Sequence, residues 1–230
     1  MTVVSGLGPA DETEPQDDVV TRFRNREEAG RALARPLAEH AARDDVVMLG
    51  LPRGGVIVAA AAGRALGLPV GVWAARKLGV PGDEELAMGA VASGGIVVLR
   101  PDVLREARVS AAALDEAILR ARDELQRGEE RFRTAQPGDL RGRVVIVVDD
   151  GLATGATMQA VVHSLREREP AAIIAAVPVG SREACEDLLG EVDELICLVS
   201  PEPFEAVAQA YEDFTQASDD DAQAALSRVE

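Results

Sequence analysis

Apolar positions along the chain fall into two kinds of pattern. Short unbroken runs appear at 46–50 (VVMLG), 69–76 (PVGVWAAR), 144–148 (VVIVV), 171–179 (AAIIAAVPV) and 194–200 (ELICLVS). Each has the length of a strand. None alternates with polar residues, so both faces of each strand must be covered. Segments with helical spacing lie between them, at 56–66, 155–168 and 181–189. This alternation predicts an α/β fold with a mostly parallel central sheet flanked by helices. In such sheets ligands bind beyond the C-terminal ends of the strands.

The remaining segments read differently. Residues 1–17 are polar, acidic and contain Pro and Gly, as a disordered tail does, and 18–230 read as one domain. Phe23 and Asn25 lead into a helix, with Glu28 three positions after Asn25 as in a capping box. Leu33 and Leu37 share a face, and Pro36 kinks or ends the first segment. Residues 78–87 read as a charged loop. The run AMGAVAS, the Gly94-Gly95 turn and IVVLR read as a hairpin. Residues 101–136 form a helical insertion. Within it Leu114, Ile118, Ala121, Leu125 and Phe132 form one narrow apolar seam on an otherwise charged helix spanning 110–134. The seam packs on the body or on a second copy of the chain, which would make a homodimer. Residues 202–226 read as short helices.

Composition narrows the function classes. With 230 residues, 47% of them hydrophobic, the chain can bury a sizeable core. No apolar run approaches the roughly 20 residues of a membrane span. The N-terminal residues lack the basic start and apolar centre of a signal peptide. Cys185 and Cys197 have neither metal-ligand spacing nor the density of a disulfide scaffold, so a cytoplasmic protein is expected. The net charge of −16 repels nucleic acid at long range and argues against a DNA-binding protein, though it allows a local positive pocket. One lysine, Lys77, stands among arginines, at the end of the second apolar run.

The candidate chemistry sits at the strand ends. VVIVVDDGLATGATM (144–158) runs from a buried strand into two acids and then into a loop nearly free of side chains. Gly151, Ala153, Gly155 and Ala156 leave backbone N–H groups uncovered. Thr154 and Thr157 add hydroxyl donors, and the helix that follows points its positive end into the loop. Together these suit a phosphate monoester. Asp149 and Asp150 would repel that phosphate, but they suit neutral hydroxyls or a cation a few ångström away; a sugar phosphate offers both. A Walker A loop is excluded by the lack of a loop lysine, and a dinucleotide fingerprint by the glycine spacing. His40 and His163 have no partner pattern and read as structural. Trp73 reads as core, and Glu84 and Glu85 as loop charges.

VVIVVDDGLATGATM resembles the signature of the type I phosphoribosyltransferases. LGLPRGG (49–55) is similar to that family's pyrophosphate loop, and ARKLG (75–79) to the basic end of its second strand. RKLGVPGDEELAMGAVA resembles a bacterial subgroup of the family, and the likeness covers most of 20–215. The resemblance implies a small hood above the sheet, built in part from 200–230. Asp149 and Asp150 would bind the ribose hydroxyls of phosphoribosyl pyrophosphate, and could meet Mg²⁺ through water. Ala153, Thr154, Gly155, Ala156 and Thr157 would hold its 5′-phosphate. Arg53, Gly54 and Gly55 would bind pyrophosphate by backbone N–H, at a peptide bond that the family often holds cis. Arg76 and Lys77 would add positive charge.

The implied reaction is transfer of ribose 5-phosphate to a nitrogenous acceptor with release of pyrophosphate. Residues 78–87 would form a lid against water. Ala153 stands where purine-salvage members carry an acid, so a general base at that position is missing. Phe204 and Tyr211, in PEPFEAVAQAYEDF (201–214), are candidates to stack on the acceptor base. The same fold also serves regulators that sense phosphoribosyl pyrophosphate or nucleotides; retention of Arg53, Arg76, Lys77 and a closable loop favours the enzyme.

Overall fold

The structure is a computed structural model that describes residues 22–132 and 135–229; the acidic tail at 1–17 lies outside the described residues. Five strands form the central sheet: β1 (Val46–Gly50), β2 (Val70–Val72), β6 (Val144–Val148), β7 (Ala172–Val179) and β8 (Glu194–Val199). They lie in the order β2-β1-β6-β7-β8, and every neighbouring pair is parallel. The unbroken apolar runs have the cause the pattern implied. Val47, Leu49, Val145, Val147, Ile173 and Ala175 face the helices α5 (Ala156–Arg166) and α6 (Arg182–Leu189). The alternate residues Val46, Met48, Ile146, Val148, Ile174 and Ala176 face α1 (Arg26–Leu33) and α2 (Gly54–Leu66). Both faces are dry, so neither set can be polar.

The apolar run at 69–76 is two strands, not one. β2 ends at Val72, the chain turns through buried Trp73 and Ala74, and β3 (Ala75–Val80) starts a second sheet. Ser93 fastens the turn, accepting the Ala74 N–H at 2.9 Å through its hydroxyl. The second sheet is antiparallel, in the order β3-β4-β5, with β4 at Asp83–Ala92 and β5 at Ile96–Leu99. The expected loop at 78–87 is therefore two strands joined at Pro81-Gly82, where Gly82 takes φ +88°. The charges at 83–85 concealed the strand, because an antiparallel ribbon tolerates polar residues that a buried parallel strand does not. The hairpin around Gly94-Gly95 is present as the β4–β5 connection.

The insertion forms α3 (Pro101–Glu106) and α4 (Ala111–Arg131). The α4 seam lies on the body: Ala117, Ala121 and Leu125 are buried against Leu78, Met88 and Val91 of the antiparallel sheet. Phe132 packs with Val56, Val72 and Ala222. At the N-terminal end Asn25 caps α1, accepting Glu28 N–H at 3.0 Å, while Glu28 turns back to the N–H of Arg24. Within 202–226 only a 3₁₀ turn at 207–210 and α7 (Asp219–Leu226) are helical. The segment around Tyr211 is extended and bridges Phe23.

Candidate active site

Adjacency of β1 and β6 brings two loops together at the C-terminal edge of the sheet. Gly50 pairs with Val148, and Leu51 N–H donates to Val148 O at 2.9 Å. The LPRGG turn after β1 thus lies on the DDGLATGAT loop after β6. Contact is close enough to require glycine twice. A methyl at Gly54 would overlap Asp150 Oδ2 and stand 2.8 Å from Arg26 Nε. A methyl at Gly55 would lie 2.6 Å from Val148 O and 2.8 Å from Asp149 Cα. The Pro52–Arg53 peptide is cis.

The helices that follow these two loops both have bare N-termini. α2 starts at Gly54 and α5 at Ala156, and neither carries a side-chain cap or an acid in its first turn. The contrast is with α1, α4, α6 and α7, which Asn25, Ser110, Ser181 and Ser218 cap. α3 begins with Pro101, which has no N–H to satisfy. The first N–H groups of α2 and α5 have no intrahelical acceptor. An anion supplies one, and the helix dipoles favour it. Gly155 enters α5 with φ +74°, a left-handed conformation that a side chain would strain. Ala153, Thr154 and Thr157 are exposed along this loop and Ala156 is half-buried.

The Asp150 carboxylate is fixed by a residue that the sequence pattern does not single out. Arg26, at the head of α1, donates Nε–H to Asp150 Oδ2 at 2.7 Å and Nη1–H to Thr215 O at 2.8 Å. Its guanidinium lies 4.0 Å from the centre of the Phe214 ring. The other oxygen of the Asp150 carboxylate, Oδ1, takes no part in the Arg26 bond. Asp149 Oδ1 accepts the Asp150 N–H at 2.9 Å. Burial at the strand end, with the Asp150 carboxylate beside it, pushes the Asp149 carboxyl well above the usual carboxylate range; the Asp150 N–H and Arg26 pull it back. A signal for Arg26 existed. The buried face of α1 is Arg26, Ala29, Gly30 and Leu33, and an arginine on an apolar face needs an acid.

Tyr211 is not available to stack on a base. It is 1% exposed, packed against Phe23 and Phe214, and its hydroxyl donates to Asp150 O at 2.6 Å. Burial and the nearby Asp150 push its phenol upward, so it stays a donor. Tyr211 therefore holds the acid loop from below. Phe204 is half-buried against the same cluster.

Arg76 and Lys77 part company. They are successive residues of β3, so they point to opposite faces of the antiparallel sheet. Arg76 lines a pocket of about 460 Å³ together with Arg53 of the LPRGG turn and Arg127, Arg131, Glu124 and Phe132 of the α4 region. Lys77 is exposed and does not line it. The two α4 arginines were hidden in the sequence among the charges of an exposed helix face. Trp73 is core, with Nε1–H bonded to Ser164 at 2.9 Å; His40 is buried and His163 pairs with Glu191.

The chain is thus an α/β protein with two uncapped helix N-termini and a pair of acids at one edge of its parallel sheet. The family follows from the whole chain. A family model described as "Phosphoribosyl transferase domain" matches residues 18–214, and the chain belongs to that family, in its type I branch. It is 44% identical over 208 residues to "Putative phosphoribosyl transferase Rv0571c" of Mycobacterium tuberculosis, covering 90% of this chain and 47% of that protein. The chain thus spans about half the length of that relative. The crystal structure of TT1426 from Thermus thermophilus matches with a TM-score of 0.80 at 43% identity, over 89% of this chain and 97% of that one.

Proposed function

We propose that the protein transfers ribose 5-phosphate from phosphoribosyl pyrophosphate to a nitrogenous small molecule, releasing pyrophosphate. The observation that carries this reading is the seating of Gly54 and Gly55 on Asp149 and Asp150. It brings the uncapped start of α2 against the acids that precede the loop leading into α5, which supports one ligand spanning both loops. Family membership supports the same reading.

In this arrangement the bare N-terminus of α5 takes the 5′-phosphate through the N–H groups of Ala156, Thr157 and Met158 and the Thr154 and Thr157 hydroxyls. Asp150, fixed through Oδ2, offers Oδ1 to a ribose hydroxyl, and Asp149 accepts from the other. Gly54 and Gly55 N–H, with Arg53 and Arg76, take the pyrophosphate. As the acceptor nitrogen bonds to the anomeric carbon, the bond to the pyrophosphate oxygen breaks and its electrons leave with that oxygen. Positive charge builds on the sugar and negative charge on the leaving group. The N–H donors and arginines, held in place beforehand, stabilise the second.

Among the described residues no group of three or more acids, histidines or cysteines could cage a metal. Two carboxylates beside a phosphate site fit Mg²⁺, which prefers phosphate oxygens and water. Mg²⁺ bound to the donor would neutralise pyrophosphate charge, with Asp149 and Asp150 reaching it through water. The β3–β4 hairpin, turning at Pro81-Gly82, would serve as the lid over the leaving group. Ala153 supplies no acid or base to the acceptor.

The test is pyrophosphate release from phosphoribosyl pyrophosphate and Mg²⁺ with a panel of purines, pyrimidines and related amines. Release with at least one acceptor is expected. Donor binding without release for any of them would make the protein a sensor of the donor rather than a transferase.

A further inference from the structure

The chain has two cysteines, Cys185 on α6 and Cys197 on β8, and the fold brings their sulfurs together over one glycine. A methyl at Gly180 would stand 2.7 Å from Cys185 Sγ and 3.2 Å from Cys197 Sγ. Neither thiol is sealed in the core; both are half-buried. Cys197 Sγ–H also reaches Val199 O at 3.3 Å.

Gly180 is the seat of the phosphate loop. Leu152 bridges Gly180, Leu152 N–H donates to Val179 O at 2.8 Å, and Ser181 N–H donates to Leu152 O at 2.8 Å. The Ser181 hydroxyl donates to Ala153 O at 2.7 Å. Three hydrogen bonds thus tie the loop to the backbone that the two sulfurs overhang.

We propose that Cys185 and Cys197 are a redox pair that closes to an intrachain disulfide with a hydroperoxide as oxidant, and that closure loosens the seat of the 151–157 loop. The two sulfurs differ in readiness. A hydrogen bond from Cys197 holds the Cys185 thiol below the usual thiol range, against burial and the Glu186 charge, while Cys197 is pushed up by the same bond and by its burial. Cys185 is therefore the attacking thiolate. It bonds to one peroxide oxygen as the O–O bond breaks, giving a sulfenic acid and, with one proton, water or an alcohol. Cys197 then attacks the Cys185 sulfur and expels hydroxide, which takes the Cys197 proton and leaves as water. Two thiols lose two electrons and the peroxide gains them. Loss of ligand affinity on closure rests on the phosphate-loop role proposed above, but the disulfide and the loosened seat do not.

The experiment oxidises the whole chain with stoichiometric hydrogen peroxide and reads two quantities that need no ligand. Intact mass and peptide mapping should show the loss of two hydrogens and one cross-linked peptide joining Cys185 to Cys197, reversed by dithiothreitol. Amide hydrogen exchange at 152–157 should speed up about tenfold on oxidation and return on reduction. Cys185→Ser and Cys197→Ser should each abolish the cross-link and the exchange change. Stepwise oxygen addition to separate cysteines, or disulfides only between chains, would overturn the pairing. The cross-link with unchanged exchange would overturn the coupling to the loop. Ribose 5-phosphate titrated into the reduced protein is a separate arm: no binding there would count against the proposed function alone.

Discussion

Arg26 Nε lies 2.7 Å from Asp150 Oδ2, joining the first helix to the acid pair across 124 residues of sequence. Both side chains are largely withdrawn from water, at 11% and 19% exposure. The pair therefore does more than decorate the surface. One carboxylate oxygen is fixed by a cation, so the other keeps a constant direction. Removing Arg26 would leave a charge in a poorly hydrated place. Arg26→Met should cost about 3 kcal/mol of stability, and should raise the KM for phosphoribosyl pyrophosphate more than it lowers kcat. Thermal denaturation and steady-state kinetics check both. Unchanged values in both would show that Asp150 does not depend on the pair.

The two glycines of LPRGG should be intolerant for different reasons. Gly54→Ala pushes on the Asp150 carboxylate and Arg26, and Gly55→Ala pushes on the Val148–Asp149 backbone. Each should lose about 2 kcal/mol of stability and most donor binding. Gly138→Ala, at a site where a methyl meets nothing within 4 Å, is the control and should be neutral.

Asp149 links stability to pH. Burial and the Asp150 charge raise its folded-state pKa above the unfolded value. The folded state thus binds its proton more tightly, and the contribution to stability falls as pH rises from the unfolded value of about 4 through the raised one. Above that, the ionised group is a standing cost. Asp149→Asn removes the cost and can still accept the Asp150 N–H. The variant should melt at a higher temperature than the parent at neutral pH, with the gap closing at low pH, while donor binding weakens. Melting curves across the acid range decide it; a lower melting temperature at neutral pH would contradict the assignment.

Tyr211→Phe removes the hydroxyl under Asp150 O without touching the aromatic cluster. About 1 kcal/mol of stability should go, and donor KM should rise by a few-fold. A base-stacking tyrosine would instead change acceptor KM and leave donor KM alone.

Much of the fold is legible in the residues themselves. The parallel sheet is readable because a strand covered on both faces must be apolar throughout, and the uncapped loop before α5 because uncovered amides demand small residues. The break at Trp73-Ala74 was not, since an apolar run carries no mark of where a strand leaves one sheet for another. The β3–β4 hairpin was masked by its charges. Arg26 is not marked in the sequence, and Tyr211 is marked for a different role, because both reach the site from far along the chain and sequence spacing says nothing about that closure. Lys77, conspicuous as the sole lysine, stands on the face of β3 opposite Arg76, while Arg127 and Arg131 reach the pocket from an unremarked stretch of α4. Arg76→Ala and Arg127→Ala should accordingly weaken pyrophosphate binding about tenfold, and Lys77→Ala by less than half of that in free energy.

On the proposed function the two loops hold one molecule of phosphoribosyl pyrophosphate between them. Calorimetric titration of that compound with Mg²⁺ into the parent protein and into Asp150→Asn tests it most directly. One site per chain is expected in the parent, with at least about tenfold weaker binding in the folded variant. No binding to the parent, or equal binding to both, would contradict it.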